Sequence, residues 1–302
     1  MKTKERNWKE WLDQVDFFVG LIVNDEGKAK LISKEMKKYI TLRFEKNKYV
    51  HPITTGFSTQ IYRELYRIIG ESDPYKELKI LSNNEAAKII RNLEPRDFKE
   101  RLLLSILGNI IDYGACLEGA YELGNLKRDF ERIKNDGLVI DDSEFLKKRI
   151  QQAQNIFYLV DNSGEVVFDV FMLNYLLKYV NKENIYIVGK ESPMQNDMTA
   201  DELRELGFEK FGNIVSTGSN CFGLHEEEVS DEFKELFKNA DLVIAKGQAY
   251  MEFFSEYNFD NVINILRVKW PLRFNGFDFK PGDNIVISST RYNNQGKSYN
   301  WN

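Results

Sequence analysis

Asp161 and Asn162 follow directly on the apolar run NIFYLV (155–160), and Ser163, Gly164 and Glu165 come at once behind them. A carboxylate and an amide side by side are hard oxygen donors, and a small-residue turn that opens a helix presents backbone N–H groups. Together they can hold a divalent cation and an anion, which is what phosphoryl transfer requires. The same residues also make an ordinary turn and helix cap, so the pattern gains weight only from its companions. A second run, NIYIV (184–188), leads through Gly189 and Lys190 to Asn196, Asp197, Met198 and Thr199. Asp197 adds a second carboxylate, and an all-oxygen set suits Mg or Mn better than zinc, although an Asp at that place also reads as a helix cap. A third run, NIVS (213–216), continues into Thr217, Gly218, Ser219 and Asn220, and a fourth, ADLVIA (240–245), into Lys246, Gly247 and Gln248. An ammonium directly after a buried strand can be aimed at a phosphate while the glycine lets the backbone come close; a lysine that only snorkels from a strand end is the competing reading.

The elements that must position these residues are legible in the hydropathy rhythm. From Trp8 to about Lys134 the apolar residues recur near a 3.6-residue period, as in STQIYRELYRII and YKELKILSNNEAAKIIRNL. Ser58 and Asp97 read as helix N-caps, and Pro74 and Pro95 as helix boundaries. After about residue 138 the rhythm changes to short apolar runs alternating with amphipathic helices. The remaining runs are LVI (138–140), NVINIL (261–266) and NIVIS (284–288). That alternation predicts β-α-β units around a parallel sheet. The fold class is therefore α/β, a parallel-rich sheet domain over 141–302 preceded by an all-helical domain over 1–140, with a loose tail from Asn293 to Asn302. In an open parallel sheet, ligands gather beyond the carboxyl ends of the strands, where all four polar motifs fall.

Composition removes several function classes. A net charge of −5 over 302 residues argues against nucleic acid and acidic membranes as partners, because both need a cationic footprint. Charges interrupt the apolar residues near Met1, so neither a signal peptide nor a spanning segment is expected, and the cytoplasm is the expected compartment. Cys116 and Cys221 lie far apart and read as reduced thiols. With two histidines, His51 and His225, zinc hydrolases and Ser/His/Asp enzymes are poorly supplied, and both imidazoles read as surface or capping residues. Tyr250, Phe253, Trp270 and Phe274 could line a pocket, with burial in the core as the default expectation.

The segments YLVDNSGEVVFD (158–169), NDMT (196–199), STGS (216–219) and ADLVIAKGQ (240–248), with DPYKELK (73–79) and GNIID (108–112), resemble the metal-dependent damage-control phosphatases. This family is ARMT-like and was formerly a domain of unknown function. The resemblance implies a helical domain capping a Rossmann-like three-layer domain, with one divalent metal, Mn, Co, Ni or Mg, in the cleft. It implies Asp161, Asn162 and Asp197 as metal ligands and Lys246 as a phosphate contact, with Glu165, Asn109 and Asp112 at the cleft. The implied substrates are small phosphomonoesters: sugar phosphates, phosphopantetheine-type compounds and damaged phosphometabolites. The chain departs from the family pattern at Ala249-Tyr250, where Gly-Asn is common, and at Lys269-Trp270-Pro271, where Lys-Cys-Pro is common.

The mechanism expected from these residues is direct attack by a metal-activated water. Lys246, Gly247, Thr217 and the N–H groups of Ser163 and Gly164 would hold the phosphate, and Asp161 or Glu165 would accept the proton. A covalent aspartyl route is less well matched, since it usually reads Asp-x-Asp and position 163 is Ser. Two other classes stand beside this one: an S-adenosylmethionine-dependent methyltransferase or nucleotide-binding Rossmann-like protein, and a structural module whose polar strand ends are caps alone. No G-x-G-x-x-G turn follows a predicted strand, which weakens the nucleotide reading.

Overall fold

The computed structural model describes residues 8–45, 54–108 and 126–292. Asn109, Asp112, His51, Cys116 and the tail from Asn293 lie outside the described residues. Three helices come first, α1 (Trp8–Ile22), α2 (Glu26–Glu45) and α3 (Thr54–Ile69), followed by α4 (Lys76–Ile90), α5 (Phe98–Gly108) and α6 (Leu126–Asp136). Strands and helices then alternate: β1 (Ile140–Asp141), α7 (Ser143–Gln152), β2 (Ile156–Leu159), α8 (Glu165–Leu176), β3 (Ile185–Gly189), α9 (Ala200–Glu205) and β4 (Asn213–Ser216). The series closes with α10 (Asp231–Phe237), β5 (Leu242–Lys246), α11 (Gln248–Phe254), β6 (Val262–Arg267), β7 (Leu272–Phe274), β8 (Phe277–Phe279) and β9 (Asn284–Ser288).

Seven strands form one sheet in the order β1-β9-β6-β5-β2-β3-β4. All neighbours are parallel except β6 and β9, which run antiparallel. The period-2 pleat sorts each strand between two cores. Ile156, Tyr158, Leu242 and Ile244 face the layer of α4 to α9, while Phe157, Leu159, Val243 and Ala245 face α10, α11 and the β7-β8 hairpin. These strand residues are fully buried, and each large apolar side chain contributes about 1.5–3 kcal/mol on leaving water. The hairpin is absent from the sequence expectation, although its turn, Asn275-Gly276, has both residues at positive φ (47° and 86°), as Asn-Gly two-residue turns require.

The helical half divides in a way the rhythm alone does not show. α1, α2 and α3 share a core of their own, which takes in Met194 and Phe222 from loops of the α/β part. α4, α5 and α6 instead share the core of the sheet's first face with α8. The expected boundary at 140 marks the change of sequence rhythm, while α1 to α3 form a cap with a core distinct from the one that α4 to α6 share with the sheet. Asp97 is a cap as expected, its Oδ1 accepting the Glu100 N–H at 2.9 Å. Ser58 is not: α3 begins at Thr54, and the Ser58 hydroxyl donates back to the Thr54 carbonyl at 2.9 Å, which satisfies it inside a buried helix face.

Candidate active site

Chain order in the sheet reverses beside β2: β3 and β4 lie to one side, β5 and β6 to the other. The carboxyl ends of β2 and β5 therefore splay apart at a switch point, the place where an open parallel sheet has room for a ligand. Asp161 and Asn162 leave β2 there. The loop after β3 returns alongside them, with Asn162 and Asp197 paired as an antiparallel bridge. Met198 N–H donates to the Asp161 carbonyl at 3.0 Å and Ser163 N–H to the Asn196 carbonyl at 2.8 Å. Two carboxylates and one amide, 36 residues apart in sequence at the extremes, are thus gathered by main-chain bonds before any ligand is considered.

Gly247, at the end of β5, completes the arrangement by what it lacks. A Cβ there would lie 1.9 Å from Oδ2 of Asp161 and 2.8 Å from its Oδ1. Asn162 Nδ2 donates to Asp161 Oδ2 at 2.8 Å, which ties the two side chains together. Lys190 Nζ stands 3.6 Å from Asp197 Oδ2 and also donates to the Cys221 carbonyl. Two carboxylates and an amide oxygen, all hard donors, fit a divalent cation of the Mg or Mn kind. Among the described residues no three His, Cys, Asp or Glu side chains gather as a metal site.

Asp161, Asn162 and Asp197 open into a cleft of about 120 Å³ beneath the cap. Trp11, Gln14 and Phe18 from α1 and Thr55, Ser58 and Tyr62 from α3 form one wall; Gln248, Glu252, Lys269 and Trp270 form the other. Gln248 ties that second wall together, accepting N–H groups of Lys269 and Trp270 at 3.0 and 3.2 Å and donating to Glu252 at 3.0 Å. Gln195 lines the floor in the left-handed region, φ 48°, with its N–H held by the Tyr66 hydroxyl at 2.7 Å. A non-glycine residue so placed costs of order 1 kcal/mol, and such strain clusters at functional loops. Tyr250 lies beneath, its phenol pushed well above its ordinary pKa by burial first and then by the charges of Asp197, Cys221 and Asp161.

Several expected contacts lie elsewhere. Lys246 is fully buried and points away from the cleft, its Nζ bonded to Glu165 Oε1 and Asp169 Oδ1 at 2.7 Å each and to the Ser105 carbonyl at 3.2 Å. Burial alone would lower the Lys246 pKa, but the charges of Asp169 and Glu165 outweigh it and the ammonium is held above its ordinary value. Asp169 is pushed up by burial, since one ammonium cannot neutralise two carboxylates. Glu165, offered as a proton acceptor, is therefore committed to this ion cluster. The N–H groups of Ser163 and Gly164 are committed too, the second to Asn83 Oδ1 at 2.7 Å. Thr217 bonds within its own loop, its hydroxyl donating to the Ser219 carbonyl at 2.8 Å. His225 is neither surface nor cap: it is buried, 3.0 Å from the Thr55 hydroxyl, and joins the cap to the sheet domain. Tyr250, Phe253 and Phe274 are buried as expected, whereas Trp270 lines the cleft. The lining residues Glu252 and Lys269 escaped sequence reasoning; the family's Lys-Cys-Pro position, here Lys269-Trp270-Pro271, was the available signal.

Residues 3–276 match the model of the damage-control phosphatase ARMT1-like domain. The chain is 36% identical over 246 residues to a damage-control phosphatase of Pyrococcus horikoshii, covering 80% of each chain. It is 29% identical over 266 residues to a damage-control phosphatase of Archaeoglobus fulgidus, covering 85% of this chain and 89% of that one. A crystal structure of a DUF89 family protein from Pyrococcus horikoshii superposes with a TM-score of 0.81 at 30% identity, covering 96% of this chain and 99% of that one.

Proposed function

This chain belongs to the damage-control phosphatase ARMT1-like family, and from that premise we propose that it hydrolyses small phosphomonoesters with a divalent cation held by Asp161, Asn162 and Asp197. The observation that carries the reading is the main-chain pairing of the two loops, which brings both carboxylates and the amide to one wall of the cleft. A cation bound there supplies charge neutralisation for the phosphate and lowers the pKa of a water. The rest falls to the chain's own side chains. Lys269 lines the same cleft, and its ammonium would meet a non-reacting phosphate oxygen, while Lys246 is held in its ion pairs with Glu165 and Asp169. Asp161 and Glu252 line the cleft, and either carboxylate would accept the proton that leaves the attacking water. Trp11 and Phe18 of the cap, with Phe222 of the sheet domain, bound a space suited to a small leaving group and not to a polymer.

The test is phosphatase activity of the metal-stripped protein toward sugar phosphates and other small phosphomonoesters, with Mn, Co, Ni, Mg or EDTA added. Activity should return with a divalent cation, Mn or Mg foremost, and stay absent in Asp161→Ala. Equal turnover in EDTA and in metal would overturn the proposal.

A further inference from the structure

One helix outside the cleft touches both halves of the ligand cluster. Lys79 and Asn83 lie one turn apart on α4 and so project from the same face. Asn83 Oδ1 accepts the N–H of Gly164 at 2.7 Å, two residues after Asn162, and its Nδ2 lies 3.9 Å from the Met198 sulfur, one residue after Asp197. Lys79 is 2% exposed, and its ammonium bridges Asp73 Oδ2 at 2.8 Å and Glu202 Oε1 at 2.6 Å. The other oxygen of that carboxylate, Glu202 Oε2, accepts the Thr199 N–H at 2.8 Å and the Thr199 hydroxyl at 2.9 Å, two residues after Asp197. None of these side chains lines the cleft.

We propose that Asn83 and Lys79 are positioning residues that set the spacing between the Asp161-Asn162 half and the Asp197 half of the cluster. Asn83 acts through the Gly164 amide, and Lys79 acts through Glu202 and Thr199. The physical reason is that the ligand residues sit on two separate loops, joined by the Ser163 to Asn196 and Met198 to Asp161 main-chain bonds, and loops that carry ligands need an outer set of partners to hold them. Gly164 is at φ 80° and ψ −54° and contributes no side chain to fix the turn, so a neighbour must hold it by its backbone, and Asn83 does so through the N–H. Lys79 is placed to do more than neutralise charge: buried ammonium groups are retained at a cost, and this one fixes the carboxylate that caps the helix behind Asp197.

This inference rests on the cation reading above, and its test separates the two. Mn binding to the metal-stripped protein is measured by calorimetry for the wild type, Asn83→Leu, Asn83→Asp and Lys79→Met, beside hydrogen exchange of the Ser163 and Met198 amides without metal and thermal melting. Asn83→Leu should weaken Mn binding tenfold or more and speed exchange of both amides by a similar factor. Asn83→Asp keeps the acceptor and should stay within about threefold of the wild type in both measurements. Lys79→Met should act in the same sense, most strongly at Met198. If Asn83→Leu binds Mn within twofold of the wild type with unchanged exchange, whatever its melting temperature, the positioning role is overturned. If the wild type binds no Mn while Asn83→Leu still speeds exchange, the cation reading fails and the positioning role stands.

Discussion

Gly247 and Lys246 are neighbours with opposite tasks, and each can be tested alone. Gly247 has φ 83° and ψ 169°, a region that side chains avoid at a cost of about 1–3 kcal/mol. An added methyl would also collide with the Asp161 carboxylate. Gly247→Ala should therefore lower the melting temperature and reduce kcat/KM about a hundredfold or more, since a misplacement near 1 Å is enough for that. Lys246 is the counter-charge for two fully buried carboxylates, Glu165 and Asp169. Breaking such a cluster from one side costs about 3–5 kcal/mol, so Lys246→Met should lose that much in urea denaturation, and Asp169→Asn added to it should recover part. A lysine that only touched phosphate would lose activity with its stability intact, and that outcome would return Lys246 to the cleft.

Among the elements, α3 decides how the cap sits on the sheet domain. Arg63 on this helix donates to both oxygens of Glu228 at 2.8 Å and to Asn220 at 2.9 and 2.7 Å. Thr59 accepts the Phe222 N–H at 3.0 Å and Thr55 meets His225. Because α3 carries Thr55, Ser58 and Tyr62 of the cleft wall, loosening it should change substrate binding more than turnover. Arg63→Ala is expected to raise KM several-fold with a smaller change in kcat, and to cost at most about 1 kcal/mol because the pair is partly exposed to solvent. The hydrogen bond from Arg63 holds Glu228 below its ordinary value of 4.5. A lowered folded pKa means stability that is complete above that value and lost as pH falls through the lower one. Urea denaturation from pH 7 to pH 3 should show this loss in the wild type and less of it in Arg63→Ala.

At the scale of the whole molecule, the sheet's reversal of strand order creates the opening, and the cap closes over it. No helix among the described residues is long and apolar enough to cross a membrane. The proposed ligand residues come from two connections of one sheet domain, so a cation joining them should stabilise the entire fold. At a hundredfold excess over its Kd, a ligand bound only to the folded state contributes about 2.7 kcal/mol. The melting temperature of metal-stripped protein should accordingly rise with added Mn, and Asp197→Asn should remove most of the rise. A melting curve indifferent to Mn in the wild type would contradict a cation at this place.

Local pattern alone determined the alternation of strands and helices after residue 138 and the polar strand ends, because a two-residue pleat and a 3.6-residue helix write themselves directly into hydropathy. It also marked Asp161, Asn162 and Asp197 as candidates, since ligands collect beyond the ends of parallel strands. Which way Lys246 points was in principle readable: it has the parity of Leu242 and Ile244, which face α8. What parity cannot supply is the partner, and only the packed helices reveal Glu165 and Asp169 waiting on that side. Tertiary structure likewise decided that α4 to α6 belong to the sheet's own layer, that His225 is buried against Thr55, and that Lys269 and Glu252 reach the cleft. Each of these depends on contacts between segments tens to hundreds of residues apart, and a period read within one segment carries no record of what lies across from it.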